Sequence, residues 1–170
     1  TGLFTSPHLY RFNERFQVNG APIPDAALDR LAKRVLAAAD TLPEHPTEFE
    51  LMTAIGFLWF AEAGCDLVVV EVGLGGRLDS TTVIPAPEAA VITNIGLEHT
   101  AILGSTLAAI AAEKSGILKP GCRAVLYGQS REVGEVVARV CAEKEILLTV
   151  TDDSQLTLLS SGLDGQRFTY

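Results

Sequence analysis

Long apolar runs and secretion signals are both missing from this sequence. No stretch reaches the roughly 18 consecutive apolar residues that a membrane span needs. The most apolar stretch, residues 51–60, lies between Glu50 and Glu62 and predicts a buried helix instead. No signal-peptide pattern opens the chain, so neither a membrane protein nor a secreted one is expected.

Cysteine and runs of positive charge are scarce as well. The three cysteines, Cys65, Cys122 and Cys141, are widely spaced and match no zinc pattern. We therefore expect no disulfide framework, and a reducing cytoplasm as the compartment. The net charge is −8 and no basic run occurs, which argues against nucleic acid and anionic membranes as partners. Nucleotides remain candidates, because local loops and metal ions bind them.

Residues 66–79, DLVVVEVGLGGRLD, carry the most informative pattern in the chain. The apolar, β-branched run at residues 67–70 predicts a strand buried on both faces of a parallel sheet. Glu71 ends this run, and a loop with three glycines follows: Gly73, Gly75 and Gly76. Open α/β sheets bind ligands at the carboxyl ends of strands, and glycines let backbone N–H groups approach a ligand closely. The pattern alone is also typical of a tight turn with a solvated glutamate.

Helical and strand patterns alternate along the chain. One helix is predicted from an N-cap at Asp25, and a second from Thr47, where Glu50 completes a capping box, to about Gly64. The remaining predicted elements are helices at 107–118 and 131–145, strands at 66–71, 88–95, 123–128 and 146–150, a short extended piece at 15–20 with an Asn19-Gly20 turn, and a hairpin at 156–170.

This alternation predicts the fold class. Strands that alternate with helices form parallel βαβ units with right-handed crossovers, so we expect an α/β fold with a mostly parallel sheet flanked by helices. The C-terminal β-hairpin would add antiparallel strands at the sheet edge. The length of 170 residues suits a single domain, or most of a larger one.

Four polar side chains are candidates for chemistry at the carboxyl ends of strands: Ser6, Glu71, His99 and Lys114. The carboxylate of Glu71 and the hydroxyl of Ser6 are ligands that suit Mg²⁺, and a histidine can complete such an oxygen-rich site. Each residue also has a plainer explanation. Ser6 precedes Pro7 in a turn, His99 suits a hydrogen-bonded loop, and Lys114 suits a charge at a helix C-terminus.

Several short motifs occur in a fixed order along the chain: TSPHL, TEFE, EVGLGGRLD, ITNIGLEHT, EKSGI and KPG. In this order and spacing the sequence resembles the folylpolyglutamate synthase/dihydrofolate synthase branch of the Mur ligase superfamily, over about residues 1–150. The resemblance implies part of that family's central, P-loop NTPase-like ATP-binding domain. It also implies a cytoplasmic, monomeric, ATP-dependent ligase that joins L-glutamate to dihydropteroate or folates through an acyl phosphate.

The resemblance further implies a metal centre. Ser6, Glu71 and His99 would be magnesium ligands in a centre with two Mg²⁺ sites, and K⁺ is a further candidate ion. Glu71 and His99 would thereby serve catalysis. Lys114 matches the lysine that is carbamylated in this superfamily, and its modified side chain would support the second metal ion.

Substrate contacts are implied by the same motifs. The nucleotide would contact three residues: Ser6, Gly75 and Gly76. The pterin would be held by Thr47, Phe49 and Asp79, with one ring face on Phe49 and the amino edge hydrogen-bonded to Asp79. Arg77 stays open between a structural role and a contact with a substrate carboxylate.

The phosphate-binding loop of that family has no counterpart in this chain. No G-x-x-x-x-G-K-[ST] sequence occurs, and that is the loop whose N–H groups and lysine cradle phosphates. The family's C-terminal glutamate-ligase domain has no counterpart either. We therefore expect the 170 residues to be inactive alone. Two alternatives stay open: another Mur-type amino-acid ligase, and a non-catalytic scaffold that lost the phosphate loop.

Overall fold

The computed structural model describes all 170 residues, which divide into two compact units. Unit 1 contains residues 1–74 and 78–83, and unit 2 contains residues 75–77 and 84–170. The chain therefore passes between the two units within the glycine-rich loop. The expectation that all 170 residues act as a single domain stays a prediction.

Unit 1 contains a four-stranded sheet of order β3-β2-β1-β4. The strands are β1 (Gly2–Phe4), β2 (Phe16–Val18), β3 (Ala21–Pro22) and β4 (Val68–Val70). β1 pairs with β4 in parallel, whereas the β1–β2 and β2–β3 pairs are antiparallel. The predicted Asn19-Gly20 turn is confirmed, with φ of 52° and 79°, as a turn between antiparallel strands requires.

Two helices pack on this sheet, α1 (Asp25–Ala39) and α2 (Glu48–Glu62). The predicted capping box of α2 is confirmed, because the side chain of Thr47 accepts from the amide of Glu50 and the Glu50 carboxylate accepts from the amide of Thr47. The predicted N-cap of α1 is wrong by one residue. Pro24 is the N-cap, because the carboxylate of Asp25 accepts hydrogen bonds from the side chains of Arg11 and Asn13.

The core of unit 1 joins both helices to the sheet. Its largest fully buried side chains are Phe4, Phe16, Ile23 and Leu31. The ring of Phe4 contacts both Phe16 and Phe49, with centroids 5.7 Å and 5.9 Å away. Aromatic contacts of this tilted kind stabilise a core beyond the area they bury.

Unit 2 contains three parallel strands in the order β5-β6-β7, as the alternating pattern predicted. They are β5 (Ala89–Ile92), β6 (Arg123–Leu126) and β7 (Leu147–Val150), accompanied by helices α3 (Thr100–Leu103), α4 (Leu107–Lys114) and α5 (Arg131–Glu143). The core lies between these strands and helices, where Ile110, Leu126, Val133 and Val137 are fully buried. α3 was not predicted, because four residues are too few for a helical period.

The predicted hairpin is confirmed as β8 (Thr157–Gly162) and β9 (Gly165–Thr169). It forms a separate two-stranded sheet and does not extend the edge of the parallel strands. None of the helices has the length and the apolar character that crossing a lipid bilayer requires.

Burial of the central strands differs from the expectation. Residues 67–70 were expected to be buried on both faces, yet Val69 is 52% exposed and only Val68 and Val70 pack against the core. The cause is topological, because β4 is an edge strand that pairs with β1 alone. β5 behaves similarly, with Ile92 buried and Val91 exposed. A short apolar run cannot distinguish burial on one face from burial on two.

Candidate ligand-binding site

The carboxyl ends of β1 and β4 bring two predicted site residues together. Because these strands are parallel neighbours, the residues that follow them, Ser6 and Glu71, lie at the same edge of the sheet. The backbone amide of Ser6 donates a 2.8 Å hydrogen bond to Oε2 of Glu71. No protein hydrogen bond uses Oε1 of Glu71 or the Ser6 hydroxyl. These two oxygens are the kind of hard ligand that Mg²⁺ accepts alongside phosphate and water.

A cleft of about 520 Å³ lies beside this pair within unit 1. The residues that define its walls include Ser6, Pro7, Arg15, Phe49, Gly73 and Asp79. The structure thus places Phe49 and Asp79, both predicted to hold the pterin, in the wall of one cleft. Phe49 occupies the first turn of α2, and its ring lies against the backbone of Gly73.

Asp79 is buried, and both of its carboxylate oxygens already accept hydrogen bonds. Oδ2 accepts from the amides of Gly73 and Leu74, at 3.0 Å and 2.9 Å. Oδ1 accepts from the amide and the hydroxyl of Thr81, at 2.9 Å and 2.5 Å. A carboxylate offers about four acceptor positions, so these bonds use its capacity. In this structure Asp79 holds the start of the glycine-rich loop in place.

Thr47 serves as the N-cap of α2, and its predicted contact with the pterin stays a prediction. Its hydroxyl donates to Oε2 of Glu50 at 2.8 Å, within the capping box of α2. Thr47 does not line the cleft, but it begins the helical turn that carries Phe49. Hydrogen bonds to the Glu50 carboxylate, first from the backbone amide of Thr47 and then from its hydroxyl, hold the pKa of the Glu50 carboxyl below its ordinary value.

Arg15 is a cleft residue that sequence analysis missed. It is the last residue of a short 3₁₀ helix at Phe12–Arg15, directly before β2, and its side chain donates from Nε to Nδ1 of His8 at 3.0 Å. Its guanidinium also lies 5.4 Å from the ring centroid of Phe12. Phe12 and Arg15 are the first and last residues of this helix, and four residues are too few for the sequence to show a helical period.

In unit 2 the glycine-rich loop lies against the carboxyl end of α4. A Cβ atom placed on Gly76 would be 2.8 Å from the carbonyl oxygen of Lys114, so the structure brings these two predicted site residues together. Gly75 adopts a left-handed conformation, with φ of 69°. Lys114 is the last residue of α4, which is the position that its plainer explanation requires.

Arg77 belongs to the same contact in unit 2. Its guanidinium donates to the carboxylate of Glu113 at 3.0 Å, and its backbone amide donates to the Glu113 carbonyl, also at 3.0 Å. A Cβ placed on Gly116 would be only 2.2 Å from the Cα of Arg77. Arg77 thus forms a structural ion pair within this chain, and a contact with a substrate carboxylate stays a prediction.

His99 precedes α3 and is exposed. Its backbone is left-handed, with φ of 52° and ψ of 36°, and its carbonyl accepts from the amides of Ile102 and Leu103. Nowhere do three or more His, Cys, Asp or Glu side chains meet in an arrangement that could hold a metal ion. The expected ligand set of Ser6, Glu71 and His99 therefore stays a prediction, as does the modification of Lys114.

The chain has an α/β fold. Its parallel strands, its glycine-rich loop after an acidic strand end and its aromatic-walled cleft are typical of proteins that bind a small ligand at the edge of a sheet. No protein-family model matches the chain. Individual proteins do match. The chain is 40% identical over 175 aligned positions to a folylpolyglutamate synthase of Lacticaseibacillus casei, which covers 99% of this chain and 41% of that protein. It is 47% identical over 141 positions to a dihydrofolate synthase/folylpolyglutamate synthase of Bacillus subtilis, covering 80% of this chain and 33% of that one.

Solved structures agree with these relatives. The apo form of L. casei FPGS superimposes with a TM-score of 0.89 at 39% identity, over 98% of this chain and 42% of that one. An FPGS–AMPPCP–folate complex gives a TM-score of 0.89 at 38% identity, over 98% of this chain and 42% of that one. The chain is therefore homologous to one region of the folylpolyglutamate synthases and dihydrofolate synthases, which confirms the resemblance seen in the sequence. It spans about two fifths of the length of the L. casei relative.

Proposed function

We propose that this chain is part of an ATP-dependent ligase that adds L-glutamate to dihydropteroate, to folates, or to both. The observation that carries the proposal is the cleft of unit 1, in which the ring of Phe49 faces a space beside the Ser6–Glu71 pair. An aromatic wall suits a flat pterin, and free oxygens suit the magnesium of a nucleotide. The relatives' names and the solved complex with AMPPCP and folate support this combination.

The proposed reaction has two steps. The substrate carboxylate attacks the γ-phosphorus of ATP, so that an acyl phosphate forms and ADP leaves. The amine of L-glutamate then attacks the acyl carbon, an amide bond forms, and inorganic phosphate leaves with the bonding electron pair. Both steps depend chiefly on positioning and on stabilising negative charge.

Ser6 and Glu71 would hold Mg²⁺ from this chain, together with His99. When bound, the ion supplies positive charge that offsets the charge of the phosphate oxygens. The hydrogen bond from the Ser6 amide holds one oxygen of Glu71 and leaves the second oxygen without a protein donor. A second Mg²⁺, a K⁺ ion and a carbamylated Lys114 belong to the same proposal, as do contacts of Gly75 and Gly76 with the nucleotide.

Phe49 would stack on one face of the pterin. Thr47 supports this contact indirectly, because it begins the helical turn that carries Phe49. A hydrogen bond between Asp79 and the amino edge of the pterin stays a prediction, and it would have to replace one of the four bonds that Asp79 already accepts. A cytoplasmic location, a monomeric state and inactivity of the 170 residues alone also belong to the proposal.

The test is isothermal titration of Mg²⁺-ATP and of dihydropteroate into the full-length protein, comparing wild type with Glu71→Ala. We expect Mg²⁺-ATP to bind at least about tenfold more weakly to the variant, while its melting temperature is unchanged. Glu44→Ala, at an exposed carboxylate outside the cleft, is the matched control. If Glu71→Ala binds both ligands like wild type, the metal assignment is wrong and the scaffold alternative becomes the better explanation.

A further inference from the structure

Arg15 is the only positively charged residue in the wall of the unit 1 cleft. Its guanidinium is held from two sides. Nε donates to Nδ1 of His8 at 3.0 Å, and the ring of Phe12 lies beneath the guanidinium carbon at 5.4 Å. The rings of His8 and Phe12 are themselves in contact, with centroids 5.8 Å apart. The plane of the guanidinium is therefore fixed before any ligand arrives.

The rest of the Arg15 guanidinium has no partner in the protein. Neither terminal nitrogen donates a hydrogen bond to a protein acceptor, and no carboxylate lies within ion-pair distance. Neither acidic residue of the cleft neutralises the charge of Arg15. Asp79 accepts hydrogen bonds from residues of the glycine-rich loop and from Thr81, and Glu48 forms no ion pair with Arg15. Arg15 thus brings to the cleft wall a guanidinium with up to four N–H groups that have no protein acceptor.

An oriented guanidinium with free terminal nitrogens matches one class of ligand group best. Its planar fork pairs with the two oxygens of a carboxylate or phosphate, and such charge-assisted bonds are stronger than neutral ones. The remaining residues of the cleft indicate whether a carboxylate or a phosphate is the better match. Pro7, Phe49 and Met52 offer an apolar lining, which suits an aromatic acid and not a polyphosphate chain.

We propose that Arg15 is a specificity-determining residue that binds the carboxylate of a flat aromatic acid whose ring system lies on Phe49. This inference rests on the proposed function. It adds to that function the residue that recognises the substrate carboxylate and so distinguishes the acid from an uncharged pterin compound. His8 is the positioning residue for this contact, because it accepts from Nε and leaves the terminal nitrogens directed at the ligand.

The experiment compares pteroic acid with its carboxamide, which has the same rings but no charge. Binding of each is measured by titration calorimetry to the full-length protein in the presence of Mg²⁺ and AMPPCP, at one ionic strength. We expect wild type to prefer the acid by about tenfold to a hundredfold, as a charge-assisted pair predicts. Arg15→Met should bind the carboxamide like wild type and lose the preference for the acid. Arg15→Lys, which keeps the charge but not the fork, should retain part of it.

Arg34→Met is the matched control, since Arg34 is an exposed arginine of α1 whose only partner is Glu62, at 3.4 Å. It should keep the full preference. Retained binding of the carboxamide shows that the cleft of Arg15→Met is intact. If that variant binds neither compound, Arg15→Gln is measured in its place, and an unchanged preference there contradicts the proposal.

The remaining outcomes separate this inference from the proposed function. If wild type binds neither compound, the proposed function is wrong and the Arg15 inference is wrong with it. If wild type prefers the acid and Arg15→Met does so equally, only the Arg15 inference is wrong. If Arg15→Met weakens binding of AMPPCP alone and leaves the acid preference unchanged, Arg15 binds phosphate and the proposal is overturned.

Discussion

The ring of Phe49 lies directly against the backbone of Gly73. A Cβ atom placed on Gly73 would be 2.4 Å from Cζ of the Phe49 ring, a separation that side chains do not tolerate. Position 73 must therefore be glycine if the Phe49 ring is to keep its place in the wall of the cleft. The position of the ring and the path of the loop depend on each other.

Gly73→Ala should displace the Phe49 ring and weaken both folding and pterin binding. We expect the free energy of unfolding to fall by about 1–3 kcal/mol, as overpacking typically costs. Binding of pteroic acid should weaken by about three- to tenfold as the stacking contact is lost. Urea unfolding and titration calorimetry measure the two effects. Gly134→Ala in α5 is the control, because no atom lies within 4 Å of its added Cβ and alanine favours a helix. Equal stability of the two variants would contradict the close contact.

Asp79→Asn should loosen the start of the glycine-rich loop. Asparagine keeps one carbonyl oxygen and turns an NH₂ group towards N–H donors, so two of the four bonds to this side chain lose their acceptor. We expect a loss of about 1–3 kcal/mol in the free energy of unfolding, measured in urea. Asp164→Asn, in the exposed turn of the hairpin, should change it by less than about 0.5 kcal/mol. A similarly small change for Asp79→Asn would show that the loop holds without this carboxylate.

Gly116→Ala should destabilise unit 2 more than Arg77→Ala does. The added Cβ would be 2.2 Å from the Cα of Arg77, so backbone must move, at a cost of about 1–3 kcal/mol. The Arg77–Glu113 ion pair is different, because the Arg77 side chain is 58% exposed and exposed pairs contribute about 0–1 kcal/mol. Chemical denaturation of both variants gives the order. The reverse order would mean that the ion pair, and not the backbone contact, holds the loop.

Glu14 should give the loop at residues 9–11 a pH dependence. Hydrogen bonds from the amide of Leu9 first, then from those of Arg11 and Tyr10, lower the pKa of the Glu14 carboxyl in the folded protein. Its contribution to stability is therefore present above the ordinary pKa of glutamate, and it is lost as the pH falls through the lowered value. An NMR titration should show the amide signals of these three residues moving together, with a midpoint below the ordinary pKa of a glutamate carboxyl. Glu14→Gln should abolish this step, whereas Glu44→Gln should leave it in place.

Local signals in the sequence were sufficient for much of the fold. The capping box of Thr47 and Glu50 and the Asn19-Gly20 turn each depend on a few neighbouring residues, and both are confirmed. The parallel order of β5, β6 and β7 follows from alternation alone. These features need no information about distant contacts.

Features that depend on distant partners were not predictable. β1 has only three residues, and it exists because it pairs with β2 and β4. Irregular local structure was not predictable either, because the contacts of Arg15 with His8 and Phe12 lie in a loop and a four-residue 3₁₀ helix that show no periodic pattern. For the candidate site, the order of motifs predicted Ser6, Glu71 and Phe49, and the structure places these three residues in or beside one cleft while their roles stay predictions. The bonds that occupy Asp79 became visible only with the loop in three dimensions.

Phe49 is the second residue of α2, one position before Glu50 in the capping box. Helix ends fray, and a frayed first turn would carry the ring away from Gly73. Only molecules in which this turn is formed would have the complete aromatic wall. The measured affinity for an aromatic ligand would therefore fall in proportion to the fraction of molecules in that state. The hydroxyl of Thr47, which lies outside the cleft wall, would then govern occupancy of the cleft through a local equilibrium of a single helical turn.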